Sequence, residues 1–310
     1  MGTAKKVTVF GSFVVDLMAR TPRLPVPGET VKGTYFKQGA GGKGFNQGIA
    51  AHKSGGNVVM VTKLGRDSLA QVAESAMDEV HLSRENLFYH EEVGTGTALI
   101  MVDETTSQNE IIVVPGACGT ITREDILSVE KEILKSQYLL LQLEVNQDAN
   151  EYVAKFAKEN GVKVIINTAP YQPMTDGFLN GAYLVTPNET EAEAMTGIKV
   201  TDQESADQAA KVMLAKGVQN VLITLGSKGV YIYSEGKSVI IPAYKVEAVD
   251  TTGAGDAFNG GLLTALSEGK TLMEAAKFAN AVAALSVQKI GTTPSMPNRE
   301  HVDAFIQANR

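Results

Sequence analysis

Short apolar, β-branched runs alternate with amphipathic stretches along most of the chain. Val7 to Phe10, Val58 to Leu64, Tyr138 to Leu143, Val162 to Asn167, Tyr183 to Thr186 and Val221 to Leu225 read as strands. Asn150 to Asn160 and Ser205 to Lys216 have helical periodicity, and each stops beside a glycine, Gly161 or Gly217. Strand–helix alternation of this kind predicts an α/β fold with a mainly parallel sheet covered by helices. Ligands of such sheets bind beyond the carboxyl ends of the strands.

Two stretches break the rhythm. Glu29 to Gln38 and Thr97 to Pro115 look extended, with no helix between strands. The second reads as a hairpin from Ala98–Val102 to Ile111–Val114. Strands outside the alternating pattern predict a small separate sheet, a lid over a site. The 310 residues allow about two domains or one large unit. With lid insertions at about 14–38 and 95–115, one α/β domain over 1–310 is the expected organisation.

Composition narrows the partners. Hydrophobic residues make up 44% and charged residues 20%, enough for a sizeable core. Lys and Arg number 28 against 35 Asp and Glu, a net −7, so nucleic acid and anionic membrane are not expected as partners. A local phosphate site is still compatible with that charge. No apolar run approaches the ~18 residues of a membrane span, and Met1 to Lys6 lacks the apolar core of a secretory leader. Cys118 is the only cysteine, which excludes an intrachain disulfide and a cysteine-rich zinc site. It is expected to be a buried small hydrophobe in a cytoplasmic protein.

Two glycine-rich runs carry the candidate chemistry. Gly39-Ala40-Gly41-Gly42-Lys43-Gly44 contains a literal GxGxxG, but it follows a lid strand rather than the first βα turn. It leads into a helical run from Phe45 to Ala51, so backbone N–H groups, Lys43 and Asn46 gather at a helix start. Such a start suits a polyhydroxyl or anionic ligand; a tight turn between elements is the alternative. Asp250-Thr251-Thr252-Gly253-Ala254-Gly255-Asp256 follows a β-like stretch, Lys245 to Val249, and opens a helix with Phe258, Leu262 and Leu266 on one face. The small residues Gly253, Ala254 and Gly255 can aim N–H groups at a developing phosphoryl charge. Asp256 beside them can accept the proton of an attacking hydroxyl. The alternative is helix capping by aspartates.

The second run resembles the C-terminal signature of the ribokinase-type (PfkB) carbohydrate kinases, and Gly39 to Gly56 resembles their N-terminal signature. Between them Leu141 to Glu144, Asn167 to Pro170, Thr186 to Glu191 and Thr224 to Gly229 follow the family's motifs in order. The resemblance implies a three-layer sandwich with a small β-sheet lid. It implies an enzyme using ATP and Mg²⁺ that phosphorylates the 5-hydroxyl of D-ribose or 2-deoxy-D-ribose. Asp256 would be the base, with Gly253, Ala254 and Gly255 as the anion hole. Val14, Asp16, Gly42, Lys43, Asn46, Glu144 and Asp256 would line the sugar. Thr224, Leu225, Gly226, Ser227, Lys228, Gly229, Gly255 and Asn280 would line the nucleotide. Asn188 and Glu191 would orient Mg²⁺ and the phosphates, largely through water. Asp250, Thr252, Ser286, Lys289, Gly291 and Ser295 would surround K⁺, several through backbone carbonyls. A homodimer formed through the lid is implied as well.

Two departures stand out. The family usually carries Gly-Ser-x-Asn-x-Asp near the start, and here Gly11-Ser12-Phe13-Val14-Val15-Asp16 places Val14 at the asparagine. Valine cannot hydrogen-bond a hydroxyl but can pack against a CH₂, as in related 2-deoxyribose kinases. Plain strand packing by Val14 is the alternative. Pro115-Gly116-Ala117-Cys118 stands where Gly-Ala-Asn is usual, so Cys118 replaces an amide and a polar contact is expected to be missing.

Overall fold

In chain order the elements are β1 (Lys6–Phe10), β2 (Val14–Thr21), β3 (Tyr35–Gly41), α1 (Lys43–Lys53), β4 (Asn57–Gly65), α2 (Ala70–Glu79), β5 (Leu87–His90), β6 (Gly96–Asp103), β7 (Asn109–Val114), α3 (Arg123–Leu134), β8 (Tyr138–Leu141), α4 (Gln147–Glu159), β9 (Lys163–Ile166), α5 (Asp176–Leu179), β10 (Leu184–Val185), α6 (Glu189–Thr196), α7 (Gln203–Ala215), β11 (Val221–Thr224), β12 (Val230–Ser234), β13 (Lys237–Ile241), α8 (Ala254–Ser267), α9 (Leu272–Ser286) and α10 (Arg299–Ala308). The computed structural model describes residues 4–106 and 108–309. Among these residues no helix is long and apolar enough to cross a membrane.

The large sheet runs β13-β12-β11-β10-β9-β8-β1-β4-β5, and only β12 and β13 run antiparallel to their neighbours. Its centre is apolar at consecutive positions: Val9 and Phe10 on β1 and Leu139 to Leu141 on β8 are fully buried. That is the pattern of strands covered on both faces. The second sheet runs β3-β2-β6-β7, and its strands interrupt the large sheet's sequence between β1 and β4 and between β5 and β8. The fold is therefore α/β with a mostly parallel sheet flanked by helices and a small lid sheet, as the alternation predicted.

Helix α8 is buried from Asp256 to Ser267, so it is a core helix rather than a surface one. Small residues make that possible. A Cβ on Gly260 would meet Ala50 of α1 at 2.5 Å, and one on Gly261 would meet Val282 of α9 at 2.8 Å. Capping boxes open α3, α7 and α9 through Thr122–Asp125, Asp202–Ser205 and Thr271–Glu274. Helices α4 and α7 stop just before Gly161 and Gly217, both at positive φ, where the sequence placed their ends.

Three strand boundaries need correction. The stretch at residues 245–249 is not a strand. Pro242, which has no N–H, ends the pairing after β13, and the Val249 and Asp250 N–H groups both go to the Val287 carbonyl instead. Residues 29–34 are irregular, because Glu29 binds Arg23 and the Val26 N–H in a local turn; the lid strand starts at Tyr35. Strand β8 ends at Leu141, and Gln142 and Glu144 leave the sheet to bond α1.

Candidate active site

Strand β3 delivers Gly42 as the residue before α1, at φ 89. A Cβ there would sit 2.9 Å from Phe13 Cα, Ser12 O and Val14 N, so the β1–β2 connection can cross this point only over glycine. The Phe45 N–H bonds Ser12 O at 2.9 Å and fixes the start of α1 on that connection. Glu144 completes the corner. Its Oε2 accepts the Lys43 N–H at 2.8 Å and the Ser12 hydroxyl. A half-buried carboxylate thus sits at the positive end of α1, not in solvent at a strand end.

Asp256 lies in the first turn of α8 and is buried. Its Oδ2 accepts from Asn46 Nδ2 at 3.1 Å and its Oδ1 from Gln47 Nε2 at 2.9 Å. Gly253 precedes the helix at φ 76, a left-handed turn that suits glycine. The Ala254 N–H turns back to Thr251 O at 3.2 Å. Among the described residues, the N–H groups of Gly253, Gly255 and Asp256 meet no protein acceptor, so the helix start presents them to the cleft.

Charge is concentrated here. Burial pushes Asp16 up to about 6, and the neighbouring Glu144 and Asp256 add to it. Burial also raises Asp256, against the opposing pull of Lys43, Gln47 and Asn46. For Lys43 burial acts downward, but Asp256, Glu144 and Glu191 outweigh it and hold the ammonium above its usual range. The site is a cluster of carboxylates around one retained cation, open to ligand hydroxyls and phosphates.

A cleft of about 630 Å³ runs from Lys43 and Asp256 past Gly253 and Gly255 to Thr224, Gly226, Ser227 and Gly229. Asn280 lines it and donates to Pro242 O at 3.1 Å. Leu225 is buried beneath the loop, and Lys228 pairs with Glu189 at 3.2 Å. Asn188 and Glu191 form the capping box of α6. Asn188 Oδ1 takes the Glu191 N–H at 2.8 Å, and Glu191 Oε2 takes the Asn188 N–H at 3.0 Å. The capping role and the cleft-lining role coexist, because both residues also face the cleft. Among the described residues no group of three His, Cys, Asp or Glu side chains could cage a metal. Asn188 and Glu191 alone suit a divalent ion that keeps most of its waters and arrives with phosphates.

Asp250 joins two loops. Its Oδ1 accepts the Thr252 N–H and its Oδ2 the Gly291 N–H, both at 2.9 Å. Burial acts to raise Asp250, but these N–H groups and Lys37 hold it below the usual carboxylate range. Gly291 at φ 93 turns the chain, and Ser295, buried, donates to Thr292 O at 2.7 Å. Ser286 closes α9, with its hydroxyl on Ala283 O, and the Lys289 N–H bonds Ser286 O at 3.1 Å. A carboxylate beside a carbonyl-bearing turn fits a monovalent cation.

Val14 and Asp16 alternate onto one face of β2. Asp16 packs over Gly41, and Val14 lies over Gly96, where an added Cβ would meet Val14 Cγ1 at 3.0 Å. The polar contact expected to be missing at Cys118 is present in another form. The buried thiol accepts the Phe13 N–H at 3.2 Å and lies 3.1 Å from Lys63 O, so sulfur does the bridging that an amide would do. Reading the sequence did not assign roles to Ser12, Gln47, Asn167 or Asn259. The available signal was polarity at positions inside apolar runs.

Residues 4–299 match the profile of the pfkB family carbohydrate kinases. The chain is 40% identical to ribokinase of Haemophilus influenzae, covering 98% of this chain and 99% of the relative. It is 35% identical to deoxyribokinase of Salmonella typhi, with 98% and 99% covered. The solved structure of Arabidopsis thaliana ribokinase complexed with ribose and ATP superimposes with a TM-score of 0.92 at 32% identity, over 98% of this chain and 99% of that one.

Proposed function

The chain belongs to the pfkB family of carbohydrate kinases and is an ATP-dependent sugar kinase of the ribokinase type; from that premise we propose that it phosphorylates the 5-hydroxyl of a pentose, D-ribose or 2-deoxy-D-ribose. The observation that carries the reading is Asp256, buried in the first turn of α8 beside unbonded backbone N–H groups. In phosphoryl transfer the protein mainly positions reactants and neutralises charge. Asp256 takes the hydroxyl proton as oxygen attacks in line, and the N–H groups of Gly253 and Gly255 face the charge developing on the phosphoryl oxygens. Lys43 neutralises the incoming phosphates, while Asp16, Asn46 and Glu144 orient the sugar's other hydroxyls.

Asn188 and Glu191 would hold Mg²⁺ through water, which supplies charge neutralisation on the phosphates. Asp250, Thr252, Ser286, Lys289, Gly291 and Ser295 would hold K⁺, which supplies positive charge behind the anion hole. The whole chain is read as one α/β domain whose lid sheet shuts water out of the cleft. Two lids paired in a cytoplasmic homodimer would cover the lid's exposed apolar face.

The Asp256-centred reading is tested with a panel of pentoses, hexoses and nucleosides, assayed with ATP, Mg²⁺ and K⁺. A pentose 5-phosphate as the dominant product is expected. Preference for a hexose or a nucleoside overturns the substrate assignment.

A further inference from the structure

Behind Asp256 lies a buried polar ring: Asn167, Thr186 and Asn259 also line the cleft, whereas Gln47 and Gln142 do not. Gln47 is fully buried in α1, among Phe45, Ile49, Ala50 and Ala51, where an apolar side chain would ordinarily pack. Its Nε2 donates to Asp256 Oδ1 at 2.9 Å and to Asn167 Oδ1 at 3.0 Å. Its Oε1 accepts from Gln142 Nε2 at 2.6 Å. Asn167 donates in turn to Thr186 O at 2.9 Å, the Thr186 hydroxyl to Asn259 Oδ1 at 2.7 Å, and Asn259 Nδ2 to Gly255 O at 2.9 Å. The chain of bonds therefore leaves Asp256 through its side chain and returns at the peptide before it.

The amide directions are coupled, with Gln142 at the end of the series, its Oε1 buried without a partner. Asn167 spends its N–H₂ on Thr186, so it offers oxygen to Gln47. Gln142 offers N–H₂ to the Gln47 oxygen, so the Gln47 nitrogen must face Asp256. Turned over, the Gln47 amide would place its oxygen against the oxygens of both Asp256 and Asn167. Burying amides is costly unless they are bonded in this way. Asn46 is the other donor to Asp256, but it is also an expected sugar contact. Gln47 is the donor that no ligand can displace.

We propose that Gln47 is the positioning residue for the Asp256 base, and that Gln142 fixes the sense of the Gln47 amide. Gln47 touches neither sugar nor nucleotide. It holds one carboxylate oxygen so that the other faces the attacking hydroxyl, and it favours the ionised carboxylate. The inference rests on the reading of Asp256 as base. Lys43 from α1, Asp16 from β2 and Glu144 after β8 also face Asp256 and act on its titration, and all are unchanged in the variants below.

The test measures kcat, KM and melting temperature for the full chain, with ATP and the preferred pentose, from pH 5 to 9. The variants are Gln47→Met, Gln142→Met and Asp256→Asn. Gln47→Met is expected to lower kcat by ~10–100-fold, the scale of a misplaced catalytic group, while the KM for ATP stays within twofold. Without the donor the Asp256 pKa rises, so the acid limb of kcat should move to higher pH by about one unit. Gln142→Met should shift both in the same direction by less, and it carries the test if Gln47→Met does not fold. A folded Gln47→Met, or failing that Gln142→Met, with wild-type kcat and acid limb overturns the proposal. Asp256→Asn is expected to be inactive; if it stays active, the base assignment itself fails, and this inference with it.

Discussion

Val14 and Asp16 face the same side of lid strand β2, with the valine over Gly96 and the carboxylate over Gly41. The side chain two positions before a site carboxylate is therefore apolar where the family's usual asparagine would bond a hydroxyl. Wild-type kcat/KM for 2-deoxy-D-ribose is expected to equal or exceed that for D-ribose. An apolar wall rejects an added hydroxyl only weakly, so ribose should remain a substrate within ~10²-fold. Val14→Asn should move the ratio toward ribose by ~10-fold or more. A strong wild-type preference for ribose would show that Val14 only packs the strand.

Asp16 is the site carboxylate pushed up to about 6, by burial first and by Glu144 and Asp256 next. As pH falls through 6 it gains a proton and ceases to be an acceptor-only partner for sugar hydroxyls. The KM for the pentose is therefore expected to rise below pH 6 while the KM for ATP does not. The same shift has a stability consequence of opposite use. The folded state binds the proton more tightly than the unfolded chain, so ionising Asp16 costs stability above pH 6 and nothing below about 3.8. Asp16→Asn should raise the melting temperature at pH 8 by ~2–4 °C, with the gain vanishing toward pH 4, and should raise the pentose KM. Equal melting temperatures at pH 8 would mean that Asp16 is not strained.

The sequence made the central strands and the lid legible because each has a simple period. Consecutive apolar residues marked β1 and β8, and extended runs without helices marked β3, β6 and β7 of the lid, though not β2. Gly253 to Asp256 was legible because small residues at a helix start have few other uses. The run from Lys245 to Val249 misled because its alternation is real, but the chain leaves the sheet at Pro242 and the Val249 and Asp250 N–H groups bond the Val287 carbonyl instead of a strand. Gln47 and Gln142 were opaque for a different reason. Gln142 is one amide in an apolar run and Gln47 simply follows Asn46 in a helix, and their partners come from elements 95 or more residues away. Only the three-dimensional closure of the ring turns them from stray polar residues into a set.

Asp250 ties the Thr252 and Gly291 N–H groups across two loops, beside the turn at Gly291. If a monovalent cation sits there, exchanging K⁺ for tetramethylammonium should lower kcat by about tenfold or more, the scale of a lost charge-stabilising contact. Asp250→Ala should give a low rate that no longer responds to K⁺. Isothermal titration with K⁺ in the absence of substrates gives a second readout. An unchanged wild-type rate without K⁺ would remove the cation from the reaction.

The lid carries the molecule's main run of exposed apolar side chains. Phe36, Leu99, Ile112 and Val114 share the lid face opposite Asp16, because register pairs Ala19 with Phe36, Leu99 with Ile112 and Thr97 with Val114. Phe36 is 64% and Ile112 58% exposed. A sheet face this apolar is expected to be covered, since contiguous patches of this kind mark association surfaces. The edge strand β7 is exposed along its length, which adds unpaired backbone groups to the same surface. A second lid of the same chain supplies a matching face and edge under two-fold symmetry. Sedimentation velocity of the wild type is therefore expected to report about twice the 33.0 kDa chain mass. Ile112→Glu places a charge in the middle of that face and should shift the species to a single chain. If, as proposed, the lid also closes the sugar site, the same variant should raise the pentose KM more than the ATP KM. A wild type that sediments as a single chain at micromolar concentration would rule out the lid pairing.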